Sequence, residues 1–163
     1  MNTHGYEFYI QEVDKKGNLL SNTLKNLEAD FNGLKYSALS GVDNIGAVKN
    51  IYTEKYADSG RVRISMPAEI KNDATQLTLT LYFMGENRAS VFKSFCEYIQ
   101  QGIHRYWDTA RKRYFDFYIE EAIETSDELW YGTTPYFRAS IKMNNIFGKT
   151  FSSHEDIMTA YNK

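Results

Sequence analysis

Residues 76–85 read QLTLTLYFMG, residues 87–102 read NRASVFKSFCEYIQQG, and residues 103–121 read IHRYWDTARKRYFDFYIEE. In the first run Leu77, Leu79, Leu81 and Phe83 alternate with Thr78, Thr80 and Tyr82. Side chains repeat every two residues in a strand, so the pattern predicts a strand over Gln76–Met84 that buries a four-residue apolar stripe. Gly85 breaks the strand, and Asn87 is placed to cap a following helix. Over Arg88–Gln101, Phe92, Phe95, Cys96 and Ile99 recur at three- and four-residue spacing, flanked by Val91 and Tyr98, which gives one apolar helix face. Gly102 stands where a left-handed residue closes such a helix. The third run predicts a β-hairpin of Ile103–Asp108 with Tyr114–Ile123, turning over Thr109–Lys112. Phe115, Phe117 and Ile119 are expected inward, and Asp116, Tyr118 and Glu120 outward.

Upstream, Tyr6–Val13 reads as a first strand with Tyr6, Phe8 and Ile10 on one face, ending in the turn Lys16-Gly17-Asn18. From Ser21 to Lys55 short apolar stretches separated by glycine dipeptides read as loops with short strands, with Phe31-Asn32-Gly33 as the main turn. Arg61–Met66 reads as a strand and Pro67–Thr75 as a loop. Downstream, an irregular acidic stretch leads to Pro135 and a final strand, Tyr136–Ile146, in which Phe137, Ala139, Ile141 and Met143 alternate. Beyond Gly148 the Ser152-x-x-Glu155 capping box predicts a short terminal helix. The expected fold is α+β and β-dominated: an antiparallel β-sandwich or flattened barrel with one packed α-helix. One β-rich domain covers residues 1–150, and residues 151–163 form a C-terminal extension.

Composition narrows the function classes. A chain of 163 residues is long enough for one domain with its own core. A net charge of −2 does not support a strongly basic nucleic-acid platform. The aromatic content, 15% with 13 Tyr and 10 Phe, suits half-buried sheet faces and subunit interfaces. The single cysteine, Cys96, has no partner for an internal disulfide and sits in an apolar helical run, as a buried thiol does. No signal-peptide pattern opens the sequence and no run of about 18 apolar residues occurs, so a protein made and kept in the cytosol without a membrane span is expected.

Catalytic chemistry finds little support. His4, His104 and His154 share no ligand spacing, and the nucleophile-elbow, phosphate-loop and dinucleotide-turn motifs are missing. No catalytic residue, cofactor or metal is expected. The carboxylates Asp116, Glu120, Glu121, Glu124, Asp127 and Glu128 would make a glycosidase only if two faced each other across a cleft, and a solvated face is the simpler reading. A more specific feature is charge order. Arg105, Arg111, Lys112 and Arg113 dominate the first half of the hairpin, whereas Tyr114–Phe137 holds those six acids and no lysine or arginine. This order matches a head-to-tail contact in which Arg111, Lys112 and Arg113 of one subunit meet Glu120, Glu121 and Glu124 of the next, closing a ring if the rotation fits. On that reading, reversing Arg111 and Arg113 to Glu weakens assembly without unfolding the monomer. A solvated hairpin without consequence is the bland alternative. Stacking of single-stranded nucleic acid on Tyr106, Trp107, Tyr114 and Phe115 is opposed by the neighbouring acids.

The order of a strand, a helix, the G-x-H-R-Y-W-D-T-A-R hairpin (from Gly102), then W-Y-G-x-T-P-Y (Trp130–Tyr136) and N-I-F-G (Asn145–Gly148) resembles tail proteins of long-tailed phages and prophages. It is most similar to the distal tail protein (baseplate hub) and tail-tube group. The resemblance covers roughly Phe31–Phe151, and Tyr106–Thr109 with Arg111 and Tyr131–Tyr136 are its most distinctive parts. It implies a β-sandwich or barrel-like sheet with one packed helix, assembled as a hexameric ring, with neighbouring tail proteins as partners and DNA only as cargo passing through the lumen. It also implies a non-enzymatic virion structural protein, assembled in the bacterial cytoplasm and located in the tail. A slightly acidic chain fits, because a lumen lined with lysine and arginine would grip phosphates. Many distal tail proteins carry a second, C-terminal domain, whereas this sequence ends soon after Phe151; hub, tube and other ring positions all stay open. The alternative from a different class is a small-ligand or glycan-binding β-domain using Trp107, Trp130 and the tyrosines as a stacking platform.

Overall fold

A computed structural model describes residues 8–20, 22–49, 51–55, 62–109 and 111–152. In chain order its elements are β1 (Phe8–Val13), β2 (Lys25–Asn26), the one-turn helix α1 (Leu27–Asp30), β3 (Leu34–Ser40), β4 (Tyr52–Lys55), β5 (Val62–Ser65) and β6 (Thr75–Met84). Helix α2 (Arg88–Ile99) is followed by β7 (Ile103–Asp108), β8 (Arg113–Tyr118), β9 (Glu124–Thr125), β10 (Leu129–Tyr131), β11 (Thr134–Asn145) and β12 (Phe151–Ser152). The fold is β-dominated α+β, as the sequence pattern requires. The predicted terminal helix, His4 and His154 lie outside the described residues.

The main sheet runs β2-β1-β7-β8-β11-β6-β3 through antiparallel pairs, with β9 and β10 on β11 and β12 on β8. Strands β6 and β11 pair over ten residues, from Tyr136 opposite Met84 to Asn145 opposite Thr75. Their inward residues, Leu77, Leu79, Leu81 and Phe83 with Ala139, Ile141 and Met143, are all buried. Strands β8 and β11 meet only at Asn144–Tyr118 and Asn145–Phe117. The sheet therefore folds at one corner into two layers, β2-β1-β7-β8 and β11-β6-β3. Phe8 of β1 touches Tyr36 of β3 with ring centroids 5.2 Å apart, so β1 and β3 face each other across the core.

The sequence motifs turn out to be corners of this architecture. Trp130–Tyr136 is the β10–β11 hairpin, a two-residue turn with Gly132 at φ +61° in the first central position, where a side chain would be strained. Asn145–Gly148 is a turn closed by Gly148 N–H donating to Asn145 O at 3.2 Å. It carries β11 out of the sheet, after which the chain returns as β12 beside Tyr114 and Arg113. Phe151 and Ser152, expected in the extension, thus belong to the sheet.

Helix α2 lies across the core. Phe92 meets Phe83 and Phe137, Phe95 meets Phe31 and Phe83, and Tyr98 meets Phe31 and His104. One apolar face therefore touches β6, β11, the α1–β3 turn and β7. Gly102 follows the helix at φ +75°, in the closing conformation expected. Asn87 departs from expectation: it holds the N-cap position at φ −94°, ψ 15°, and its side chain makes no cap hydrogen bond. Instead Gly85 O accepts from Arg88 N at 3.3 Å and from Arg88 Nη1 at 2.9 Å. Cys96 is half-buried, and burial raises its thiol pKa to about 11, so the thiol stays protonated near neutrality.

Two expectations for the hairpin are corrected. Strand β8 ends at Tyr118 rather than Ile123. Asp116 is not outward into solvent but buried, because Arg105 opposite it binds the carboxylate in two-pronged fashion, Nε to Oδ1 at 2.7 Å and Nη2 to Oδ2 at 3.1 Å.

Phe95→Ala empties a fully buried site shared by three elements and is expected to cost about 3–5 kcal/mol in urea unfolding; an unchanged midpoint would mean the helix is not packed on this core. His104 gives a pH prediction. Its ring is buried, lies between Tyr98 and Phe117, and makes no hydrogen bond among the described residues. Burial, and then Lys25, lower its pKa from 6.5 to about 4. Between those values the unfolded chain takes up a proton that the folded chain refuses, so stability falls as pH drops from 6.5 towards 4. The loss at pH 4 is on the order of 3 kcal/mol. A His104→Leu variant should show a shallower fall of melting temperature across that window than the parent protein.

Candidate subunit interface

The charged hairpin is built by β7 and β8. Even-numbered residues of β7 face the core, so Asp108 arrives buried at the tip, directly opposite Arg113. A buried carboxylate needs a paired cation. Arg113 Nε supplies it at 3.2 Å, with Arg111 Nη1 at 4.0 Å from the same oxygen. Arg113 also pairs through Nη1 with Asp43 in the β3–β4 loop. Burial works against its charge, but Asp43 and Asp108 more than offset that and raise its pKa further. Lys112 turns the chain with φ +52°, an uncommon conformation for a residue other than glycine.

The structure sorts the six residues expected at the contact. Arg113 is half-buried and fixes the hairpin tip to the loop at Asp43. Glu121 accepts from Gln76 Nε2 at 2.8 Å and pairs with Lys142 Nζ at 3.2 Å; these partners, Gln76 first, lower its pKa. Arg111, Lys112, Glu120 and Glu124 are exposed. Basic and acidic groups stand at opposite ends of β8, whose six residues span about 20 Å. Within one copy they do not meet, which is the placement a head-to-tail contact uses.

The other expected acids are separated as well. Asp116 belongs to Arg105, and Glu128 forms an ion pair with Arg88 at the start of α2. Among the described residues no group of three His, Cys, Asp or Glu side chains is arranged to hold a metal ion. The aromatic platform imagined for a ligand is divided. Trp107 is 6% exposed and donates its indole N–H to Gln11 Oε1 at 3.3 Å, so it offers no surface. Trp130 is 64% exposed on β10.

A second surface was not singled out from the sequence. Strands β4 and β5 pair only with each other among the described residues, Tyr52 opposite Ser65 through Lys55 opposite Val62, apart from the main sheet. The arm they form has a well-tied stem. Lys49 N donates to Lys71 O at 2.8 Å, Asp73 N to Ala47 O at 2.7 Å, and Asn72 Nδ2 to Gly46 O at 2.9 Å. Gly46 N donates to Gly148 O at 2.9 Å, and a Cβ at either glycine would run into the Asp73 backbone. Apolar side chains of the arm are exposed among the described residues: Ile64 is 61% and Met66 55% exposed, with Ile45, Ile51 and Ile70 exposed around its base. The sequence signal was present in the alternation of Val62 and Ile64 with Arg63 and Ser65. What alternation does not reveal is that no second layer among the described residues covers Ile64 and Met66.

Among the described residues no helix is long and apolar enough to cross a membrane. No family model matches the chain, and no curated protein matches it.

Because Arg113 neutralises the buried Asp108, Arg113→Glu would place two carboxylates together at the hairpin tip. The expectation that Arg111 and Arg113 can both be reversed harmlessly is therefore replaced. Arg113→Glu should destabilise the fold by about 3–5 kcal/mol in chemical unfolding, whereas Lys112→Glu, at an exposed position, should leave the unfolding free energy within about 0.5 kcal/mol of the parent.

Proposed function

We propose that this chain is a structural, non-enzymatic subunit of a phage or prophage tail, a ring-forming component at the distal hub or along the tube. The observation that carries the reading is the β4–β5 arm. A two-stranded hairpin is marginal in water by itself, and this one stands outside the main sheet with Ile64 and Met66 exposed. Exposed apolar groups on a projecting element are normally covered in an assembly. A subunit that reaches onto its neighbour and repeats the contact around an axis closes a ring, since heterologous contacts close when the rotation fits.

Two further features support the same reading. The hairpin carries Arg111 and Lys112 at one end and Glu120 beyond the other, an arrangement that would set register between copies. The motifs that resemble tail proteins act here as turns and core positions. A ring of about six copies would leave DNA as passing cargo, with neighbouring tail proteins above and below.

Light scattering on a size-exclusion column, over a concentration series, tests the proposal. The expected species is about six times the 19.0 kDa protomer. Ile64→Asp combined with Met66→Asp should shift it to the protomer mass while leaving the melting temperature of the monomer intact. A parent protein that stays monomeric at every concentration, or an arm variant that assembles unchanged, would count against this role for the arm.

A further inference from the structure

The face of β6 and β11 turned away from the core carries Thr78, Thr80 and Tyr82 beside Tyr136, Arg138, Ser140 and Lys142. Strand β9 runs along the other edge of β11, Thr125 opposite Ala139 and Glu124 opposite Ser140. Between them is an open groove of about 340 Å³ lined by Thr80, Glu124, Thr125, Ser126, Arg138 and Ser140. That volume falls at the lower end of small-ligand sites, roughly 300–1,000 Å³.

One wall of the groove is fixed. Ser126 N donates to Arg138 O at 2.8 Å, Arg138 N donates to Ser126 Oγ at 2.9 Å, and Ser126 Oγ donates to Asp127 O at 2.9 Å. The ion pair of Glu128 with Arg88 ties the next residues to α2. The Ser126 hydroxyl is thus spent on structure. Thr80, Ser140, Arg138 and Glu124 line the remaining space on the outer face, and neither charge is in an ion pair among the described residues.

An aromatic shelf adjoins these polar groups. Tyr136 lies two residues before Arg138 on the same face, about 7 Å along the strand, and meets Tyr82 edge to face with ring centroids 5.6 Å apart. Directly paired residues share a face. Leu129, opposite Tyr136, and Tyr131, opposite Thr134 and 76% exposed, therefore extend the shelf.

The mixture of groups narrows the ligand. A phosphate or nucleic acid would meet Glu124, a metal ion would meet Arg138, and a wholly apolar molecule would leave the hydroxyls and both charges without partners. A pyranose has hydroxyls that donate and accept around its edge and an aliphatic face that packs on a tyrosine ring. The geometry points to a neutral-saccharide site. Glu124 accepts from sugar hydroxyls, Arg138 donates to sugar oxygens, the Thr80 and Ser140 hydroxyls complete the edge, and the Tyr136 ring receives the aliphatic face. This goes beyond the ring reading and does not depend on it.

Saturation-transfer NMR on the full chain tests the site whatever the oligomeric state. The probes are the methyl β-glycosides of glucose, galactose and N-acetylglucosamine, with glycerol as control and inorganic phosphate as competitor. Transfer to at least one glycoside and none to glycerol is expected. Glu124→Gln and Arg138→Ala, both exposed positions, should each reduce the signal at least ten-fold with unchanged melting curves. Trp130→Ala should leave it intact, because Trp130 pairs opposite Pro135 and so stands on the other face. If either charge variant fails to fold, Thr80→Val with Ser140→Val takes its place and should give the same loss. No transfer to any of the three glycosides would overturn the proposal. So would signal retained in the groove variants, or loss of signal on adding phosphate, which would mark an anion site. None of these outcomes bears on the ring mass, so the two readings fail separately.

Discussion

The ten-residue register between β6 and β11 is the constraint on which the remaining structure depends. It sets Leu77, Leu79, Leu81 and Phe83 side by side with Ala139, Ile141 and Met143 on a single face. A slip of one residue would turn either stripe towards water and bring Thr80 or Ser140 into the core, so burial itself locks the pairing. With that layer fixed, Phe83 and Phe137 supply the floor on which Phe92 and Phe95 seat the helix. The helix then delivers the chain to β7 and the second layer. Strand β11 also closes the corner, because its last two residues pair with β8 as well as β6. Asn145 is fully buried at that point and donates from Nδ2 to Lys149 O at 3.2 Å, holding the turn that Gly148 makes.

The second layer is organised by charge as much as by packing. Arg105 with Asp116, and Arg113 with Asp108 and Asp43, bind the hairpin strands to each other and to the β3–β4 loop. Buried pairs of this kind add little net stability, since desolvation cancels much of the attraction, but each partner is costly to remove alone. Their consequence is geometric. Arg113 ties the end of β8 to Asp108 and to Asp43, and Arg111 and Lys112 are left exposed beside it. Under the proposed ring, exposed charges in a fixed order would select the register between copies.

The two layers divide the surface into unlike regions. The β4–β5 arm exposes aliphatic side chains beyond a stem tied at Gly46, Asp73 and Gly148, where only glycine tolerates the approach of three chain segments. The outer face of β6 and β11, with β9 along its edge, instead presents threonine and serine residues, Arg138 opposed by Glu124, and a pair of tyrosines. An apolar arm is stabilised by a protein surface, whereas a polar groove keeps its water until a ligand with matching donors and acceptors replaces it. If both proposals hold, assembly through the arm and ligand recognition in the groove use separate parts of one small domain.

The sequence alone determined the elements whose side chains repeat strictly. Alternation placed β6 and β11, three- and four-residue spacing placed α2, and glycines placed the turns, because local backbone geometry sets these periods. It did not reveal that Asp116 and Trp107 are buried, since a pattern of alternate residues cannot say whether a second face is covered. It left the basic and acidic groups as one run of charge order. Only the tertiary structure committed Arg113 and Glu121 to partners within the chain and kept Arg111, Lys112, Glu120 and Glu124 exposed. It likewise took the β9 and β10 segments, read as irregular and acidic, and laid them along β11, where β9 makes a groove wall. Strands of two and three residues carry too little periodicity to be recognised alone, and they form because a long neighbour offers a free edge.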